Sequence, residues 1–283
     1  MDLAEIRKTA IVALFSDDLL MEDLVLKGGN ALSLVYGFGS RSSIDIDLSM
    51  AKDFRDLAEA KKRLFAALRH RFQRGGYVLF DEKFVCKPSF RASELDEGWG
   101  GYEVEFKIID QKTYRSFRGQ VEKIRRNATV VSPFQKRTFN IQISKFEFCA
   151  AKTQRRLEDC TVYVYTPAMI ALEKLRALCQ QMPEYTLVRH KRPRARDFYD
   201  IYCIVTESAA NLATDSNLEL ARNIFAAKKV PLSLIPKVAD YREFHRQDWA
   251  GVEDSVSGEL QEFDFYFNFI VQEIRRLKPL WIK

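Results

Sequence analysis

Residues 27–48 decide the fold, and they read KGGNALSLVYGFGSRSSIDIDL. Gly28 and Gly29 open an apolar segment whose spacing predicts a helix. A helix that begins behind a Gly-Gly turn offers free backbone N–H groups and a partial positive charge, and glycine lets a phosphate approach the backbone closely. The pattern therefore predicts a phosphate-binding turn, with Lys27 and Asn30 as candidate contacts, although a Gly-Gly pair before a helix is often only a turn.

Two carboxylates follow the predicted helix. Asp45 and Asp47 are separated by one residue in an apolar stretch, and the two-residue period of a strand sends both side chains to one face. Two acids held side by side repel each other unless a cation lies between them. Oxygen ligands at this spacing suit Mg²⁺, whose shell substrate phosphates complete. The alternative is a strand whose polar and apolar residues alternate, with both aspartates facing solvent. The D-x-D pattern by itself does not exclude this.

The two motifs together resemble a known signature. A Gly-Gly turn, a helix and then D-x-D on the next strand are similar to the nucleotidyltransferase superfamily pattern. More narrowly, K-G-G-N-A-L followed by S-S-I-D-I-D-L resembles the AbiEii/AbiGii toxin family of type IV toxin–antitoxin systems, which includes the MenT-like toxins. The usual family form is K-G-G-T-A-L, so Asn30 departs from the commoner threonine. The resemblance implies that Ser43 belongs to the nucleotide-binding residues.

The superfamily resemblance also implies a third carboxylate on a neighbouring strand. Val104-Glu105-Phe106 fits this requirement within the alternating run at 102–108. Glu105 would hold a metal ion or accept the proton of the attacking hydroxyl. Glu103 is the main competitor, because it lies on the same face, and Asp110 falls at the strand end. The alternative interpretation is the charged outward face of an antiparallel strand.

Two further segments match the family in order. ALEKLRAL at 171–178 and RARDFYDIY at 194–202 resemble its E-K-L-x-A-L and R-D-x-Y-D-L/I-Y helices. The resemblance implies that Lys174 meets the triphosphate. Asp197 and Asp200, three residues apart on one helix face, would orient that lysine or contact the nucleotide. A salt bridge between the two helices is the alternative for Asp200, and we expect Tyr199 and Tyr202 to pack in the core.

The composition excludes several classes of protein. The 283 residues are 47% hydrophobic and carry a net charge of +6, which is typical of a globular chain and too apolar for disorder. No uninterrupted apolar stretch is long enough to span a membrane, so we expect a soluble, cytoplasmic protein. The five cysteines include no C-x-x-C pair and the three histidines are scattered, which argues against disulfides and zinc. Mg²⁺ is therefore the expected cofactor.

The basic residues are concentrated in the middle of the chain. Between Arg115 and Arg156 eleven basic residues face two acidic ones, and a second acid-free cluster runs from Arg189 to Arg196. Such density predicts a polyanionic partner, here RNA or tRNA as the acceptor of the reaction, through Coulomb attraction and counterion release. The alternative is a solvated face of ordinary helices and strands.

The order of elements predicts an α+β fold. We expect a helix over 53–74, a hairpin around Asp81-Glu82, strands at 102–108, 139–144 and 161–165, and helices afterwards, including one over 263–274. This predicts a nucleotidyltransferase catalytic domain over 1–165, with a mixed or antiparallel sheet of the polymerase-beta-like type. A helical domain over 166–283 would contribute Lys174 and Asp197 to the cleft.

The leading hypothesis is a metal-dependent transfer of a nucleoside monophosphate from an NTP to an acceptor hydroxyl. The resemblance implies the toxin of a bacterial toxin–antitoxin or phage-defence pair, acting on tRNA and controlled by a cognate antitoxin. One alternative is a transferase that modifies a small molecule or a protein hydroxyl. A second is a non-catalytic nucleotide- or nucleic-acid-binding module on the same fold.

Overall fold

The computed structural model describes residues 2–39, 43, 45–88, 99–131 and 135–282. Arg41, Ser42 and Ile44 of the second motif lie outside the described residues. The strands within this part are β1 (Val25–Lys27), β2 (Ile46–Ser49), β3 (Tyr77–Lys87), β4 (Gly101–Asp110), β5 (Phe139–Ser144), β6 (Thr153–Leu157) and β7 (Cys160–Val164).

The strands form one mixed sheet in the order β3-β4-β5-β2-β1-β7-β6. β2 is parallel to β5 and β1 is parallel to β7, while the other neighbouring strands are antiparallel. The motif strands β1 and β2 therefore occupy the centre of the sheet, where both have neighbours on each side.

Helices account for most of the remaining chain. They are α1 (Leu3–Phe15), α2 (Asp18–Asp23), α3 (Gly28–Asn30), which continues as a π-helix over Ala31–Tyr36, α4 (Leu57–Arg74), α5 (Gln111–Ser116), α6 (Val121–Arg126), α7 (Pro167–Cys179), α8 (Ala195–Glu207), α9 (Asp215–Ala227), α10 (Arg242–Arg246), α11 (Ala250–Glu253) and α12 (Phe263–Arg276). Single turns of 3₁₀-helix lie at Leu232–Leu234 and Lys278–Leu280, and a longer one at Pro236–Tyr241. None of the helices in the described ranges is both long and apolar enough to cross a membrane.

The two faces of the sheet are chemically different because the strands alternate. On one face, Phe106 of β4 is fully buried and lies 5.8 Å, between ring centroids, from Phe72 of α4. α1 contacts both α4 and β7, so these two helices cover the apolar face. The opposite face carries Lys27, Asp47 and Glu105, which alternate with the apolar positions.

The first helix after β7 has a capped start. The Thr166 hydroxyl accepts a hydrogen bond from the Met169 N–H, and Pro167 occupies the first turn of α7. α7 packs against α8 and α9, and α12 packs against α8. All strands of the described residues end before Tyr165. One continuous core joins the sheet to these helices, and the division into two domains at residue 165 stays a prediction.

The predicted hairpin around Asp81-Glu82 is wrong. β3 runs without a turn from Tyr77 to Lys87 and pairs with β4 along its length, with a register shift between Phe80 and Lys83. Asp81 adopts a left-handed conformation, with φ of 50°, which is typical of a β-bulge. Aspartate and glutamate side by side resemble turn residues in a sequence, but here they form the irregularity of one long edge strand.

Candidate active site

The first motif places Asp47 directly against the start of α3. Lys27 and Asp47 are register partners in β1 and β2, and Gly28 follows Lys27 with a φ of +68°. A Cβ atom at Gly28 would lie 2.6 Å from Asp47 Oδ2, which is closer than any real contact. Glycine is therefore required at this position by backbone conformation and by the carboxylate of Asp47.

Asp45 lies just before β2 and is held through its backbone. Asn30, fully buried, donates a hydrogen bond from Nδ2 to the Asp45 carbonyl oxygen at 2.6 Å, and Ser43 Oγ lies 3.4 Å from the same oxygen. The Arg7 guanidinium donates to the Ser43 carbonyl oxygen. Asp45 Oδ1 is itself buried and has no hydrogen-bond partner among the described residues, while Lys136 Nζ lies 4.0 Å away. Asp45 thus keeps a carboxylate oxygen available to a cation.

The pKa of Asp47 is raised to about 6. Burial is the largest cause, because it disfavours the charged carboxylate. The positive charges of Lys27 and Lys174 oppose this effect, and the nearby acids Glu173 and Asp45 add to it. The two lysines of the predicted site therefore lie within electrostatic reach of Asp47.

Lys27 belongs to a buried network of ion pairs. Its Nζ lies 2.6 Å from Glu173 Oε1 on α7 and 3.8 Å from Glu147 Oε1. Arg176 contacts both of these acids, at 3.2 Å from Glu147 and 3.3 Å from Glu173, and Lys228 lies 3.7 Å from Glu147. Burial disfavours the charged lysine, but the two acids outweigh this effect and raise the pKa of Lys27.

Lys174 lies between the two predicted aspartates of α8. Its Nζ is 3.0 Å from Asp197 Oδ1 and 2.7 Å from Asp200 Oδ2, and Arg194 pairs with the other oxygen of Asp197. Burial alone raises the pKa of Asp197, but Arg194 and Lys174 together hold it well below its usual range. The Arg194 N–H donates to Nδ1 of the fully buried His245 at 3.2 Å.

Glu105 lies two strands away from the aspartates. Asp47 pairs in register with Gln142 of β5, and Gln142 pairs with Glu103 of β4. Two strand spacings amount to roughly 10 Å. Lys83 Nζ is 3.1 Å from Glu105 Oε2, and Glu103 pairs with Lys87 at 2.7 Å. The described residues contain no group of three His, Cys, Asp or Glu side chains able to hold a metal ion, and Glu105 as the third ligand stays a prediction.

The structure therefore brings most of the predicted residues together. These are Lys27, Gly28, Asn30, Ser43, Asp45, Asp47, Lys174, Asp197 and Asp200, with Gly29 in the first turn of α3. Sequence reasoning missed Glu147, Glu173, Arg176 and His245 as partners of the site. Two of these residues could have been noticed in the sequence. Glu147 is an isolated acid in a basic segment, and Glu173 directly precedes Lys174.

The basic segment 115–156 does not form one surface. Arg125 follows β4 and pairs with Asp81 of β3 at 2.8 Å, whereas Arg155 and Arg156 lie on β6 at the opposite edge of the sheet. Lys145, near the middle, pairs with Asp53 at 2.6 Å. In the cluster at 189–196, Arg189, Arg192 and Arg196 are exposed.

The fold and the paired carboxylates beside a glycine turn define a nucleotidyltransferase. The profile of the family described as nucleotidyl transferase AbiEii toxin, type IV TA system, matches residues 9–269. Because this match spans most of the chain, the protein belongs to that family of nucleotidyltransferase toxins. These findings confirm the family and the enzyme class that the sequence predicts.

One solved structure agrees with the fold, and a second is less similar. A crystal structure of a protein from H. pylori assigned as a nucleotidyltransferase has a TM-score of 0.53 at 17% identity, covering 98% of this chain and 93% of that chain. An antigenic nucleotidyltransferase-like protein from Paracoccidioides brasiliensis has a TM-score of 0.40 at 16% identity, covering 82% and 92% of the two chains. No curated protein matches the chain. The first similarity, with the mixed sheet, confirms the predicted fold class.

Replacing Gly28 tests the close approach of Asp47. We expect Gly28→Ala to lower nucleotidyl transfer by about a hundredfold, because displacing a reacting group by about 1 Å costs that much. Gly37→Ala is the matched control, since Gly37 has a φ of +70° but no atom within 4 Å of its Cβ position. Both variants should lose about 1–2 kcal/mol of stability through the left-handed backbone conformation, and Gly28→Ala should lose more than Gly37→Ala because its Cβ collides with Asp47. Equal transfer rates in the two variants would show that the contact with Asp47 is not required.

The buried His245 predicts a dependence of stability on pH. Burial lowers the pKa of His245 to about 4, against about 6.5 for an unfolded histidine. Between these values the unfolded chain binds a proton that the folded chain does not, so the contribution is complete above about pH 6.5 and is lost as the pH falls. From pH 7 to about pH 5 we expect the wild type to lose roughly 2 kcal/mol more unfolding free energy than His245→Asn.

Urea unfolding followed by circular dichroism at the two pH values measures this difference. His245→Asn retains an acceptor for the Arg194 N–H but cannot take up a proton in this range. His70→Asn, on the exposed side of α4, is the matched control and should behave as the wild type does. The prediction fails when His245→Asn shows the same loss as the wild type.

Proposed function

We propose that this protein transfers a nucleoside monophosphate from an NTP to a hydroxyl group of RNA, with tRNA as the first candidate, in a metal-dependent reaction. The observation that supports this most is the contact between Asp47 and the glycine turn. Asp47, one of the two carboxylates proposed to bind the metal, lies directly beside the start of α3, where the phosphates would bind. The proposed metal site and the proposed phosphate site are therefore adjacent.

Asp45 and Asp47 fit a divalent cation. Both are oxygen ligands, and the buried Oδ1 of Asp45 has no hydrogen-bond donor within the described part of the chain. The lack of a Cβ at Gly28 leaves room for Asp47 Oδ2. When bound to these aspartates, Mg²⁺ would neutralise charge on the α-phosphate of the NTP.

The triphosphate would lie at the start of α3, where Gly28 and Gly29 leave the backbone accessible. Lys174 would approach the phosphates from α7, already held between Asp197 and Asp200. This fixed position is what stabilises a charge that develops during transfer, because no reorganisation is needed at that moment. Lys27 forms an ion pair with Glu173. Contacts of Lys27 and of Asn30 with the phosphates stay predictions.

In the transfer step, the oxygen of the RNA hydroxyl forms a bond to the α-phosphorus. The bond between that phosphorus and the bridging oxygen of the β-phosphate breaks, and pyrophosphate leaves with the electron pair. The hydroxyl proton passes to a carboxylate or to water, and Glu105 is the carboxylate that the sequence predicts for this role.

The family implies a biological setting. Members are toxins of type IV toxin–antitoxin systems, so we infer a cognate antitoxin as partner and a role in phage defence through abortive infection. With an NTP and an RNA as substrates, the reaction would take place in the cytoplasm. The exposed arginines Arg189, Arg192 and Arg196, which precede Asp197 in the chain, support a polyanionic acceptor.

The central test uses the purified protein with Mg²⁺, NTPs labelled at the α-phosphate, and total tRNA. We expect labelled RNA from the wild type and a loss of at least about a hundredfold in Asp47→Asn and Asp45→Asn. Asp159→Asn is the control, because Asp159 is exposed in the turn between β6 and β7. Chelation of the metal should abolish labelling.

Two other results would contradict parts of this proposal. Label on a protein instead of RNA would refute the RNA acceptor and leave the transferase in place. Labelling that survives Asp47→Asn, in a protein that unfolds at the wild-type temperature, would refute the catalytic role of the aspartates.

The same assay decides between the two acids of β4. If Glu105 completes the metal site, Glu105→Gln should lose as much activity as Asp47→Asn and require more Mg²⁺. Glu103→Gln is the matched comparison, because Glu103 lies on the same face of the same strand and is paired with Lys87 in the same way. Similar, small effects of the two substitutions would remove Glu105 from the reaction.

A further inference from the structure

The sheet face that carries Asp47 has an open groove at its β3 edge. α7 approaches this face at β1, through the contact between Glu173 and Lys27. On β5, β4 and β3 the same face presents polar side chains instead. A cavity of about 420 Å³ lies there, and its lining consists of three acids, three bases and a threonine: Asp81, Glu82, Glu105, Lys83, Lys107, Arg125 and Thr138.

The groove leads to the paired aspartates. Thr138 directly precedes β5, and Asn140, two residues later, is the register partner of Glu105. Lys136 lies on the same side and brings its Nζ to 4.0 Å from Asp45 Oδ1. The end of the groove on β5 therefore borders the site where the α-phosphate would be attacked.

In two ion pairs of the groove, the side chain of the cation is more exposed than that of the acid. The side chain of Lys83 is 66% exposed, while that of its partner Glu105 is 26% exposed. Arg125 is 45% exposed, while its partner Asp81 is 21% exposed. Arg125 also pairs with the exposed Glu122 at 3.0 Å. Lys83 and Arg125 are therefore the cations that a polyanion can reach from solvent, and Glu105 and Asp81 beneath hold them in place.

The bulge in β3 builds one end of this arrangement. Asp81 adopts the left-handed conformation there, and its carboxylate accepts from Lys107 Nζ at 2.9 Å and from Arg125 Nε at 2.8 Å. Bulges commonly redirect a side chain beside a functional site. One acid therefore positions two of the cations.

We propose that the groove binds the single-stranded end of the acceptor RNA, so that Lys83 and Arg125 contact its phosphates and its terminal hydroxyl reaches Asp45 and Asp47. This inference rests on the proposed transfer to RNA. A cavity of about 420 Å³ falls in the size range of pockets for small molecules. It therefore suits a nucleotide-sized unit of one strand and not a duplex.

The inference differs from what the basic segment 115–156 predicts. Lys83 lies outside that segment, and Arg155 and Arg156 lie within it but on β6, at the other edge of the sheet. Of the basic residues in that segment, Arg125 lines the groove, together with Lys83 from β3. Position on the sheet, and not density along the chain, decides which cations contact RNA.

The test compares three double variants that each remove two positive charges. Lys83→Gln/Arg125→Gln removes the groove cations, and Arg155→Gln/Arg156→Gln removes the cations of the β6 edge. Lys61→Gln/Lys62→Gln, on the exposed side of α4, is the control for net charge. For each full-length protein, KM for tRNA, KM for the NTP and kcat are measured at several salt concentrations.

We expect the groove variant to raise KM for tRNA about tenfold and to lower the dependence of log KM on log salt by about 1.4, since each phosphate contact on a single strand contributes about 0.7. Its KM for the NTP should remain that of the wild type, as should all constants of Lys61→Gln/Lys62→Gln. Fluorescence anisotropy with a 5′-labelled single-stranded RNA should show the same ranking.

Several results would overturn the inference. An increase in KM for tRNA that is as large in Arg155→Gln/Arg156→Gln as in the groove variant would show that the acceptor is bound by overall charge. A groove variant with an unchanged KM would place the RNA elsewhere while the wild type still labels RNA, so the proposed function would stand. A wild type that labels protein and no RNA would refute both the groove as an RNA site and the RNA acceptor of the proposed function, and would leave the transferase in place.

Discussion

The buried ion pair between Lys27 and Glu173 is the interaction on which the rest of the site depends. Lys27 ends β1, faces Asp47 in the next strand and precedes Gly28, while Glu173 belongs to α7. Loss of either charge would leave the other one buried with a single, more distant partner, Glu147 at 3.8 Å for Lys27 or Arg176 at 3.3 Å for Glu173, and about 3–5 kcal/mol is the upper limit of the cost. The pair therefore fixes the central strands against the helix that also carries Lys174.

Two groups of buried charges share α7. Glu173 and Arg176 face the sheet through Lys27 and Glu147, whereas Lys174 faces α8 through Asp197 and Asp200. A single helix thus connects the strand before the glycine turn with the cation proposed for the triphosphate. Because these partners are in place without a substrate, the charges would need little reorganisation in the proposed transfer.

Because side chains alternate along the strands, one face of the sheet packs against helices and the other carries the residues of the site. The face of Phe106 is covered by α1 and α4, and the face of Asp47 and Glu105 carries the polar groups. The antiparallel pairing of β4 with β5 places Asn140 and Gln142 between the aspartates and the acids of β4. Distance across the sheet therefore gives Glu103 and Glu105 surroundings different from those of Asp45 and Asp47.

The sequence by itself determined the glycine turn, the D-x-D pair and the helices that carry Lys174 and Asp197, because these features depend on local spacing. It determined the family through the resemblance of these motifs to known ones. Only the tertiary structure decided that Asp81 lies in a bulge of one long strand and that Glu147 and Glu173 share Lys27. It also decided that Arg125 and Arg156 lie at opposite edges of the sheet. Strand order and burial bring together or separate residues that lie far apart in the chain, and a local sequence pattern does not predict such contacts.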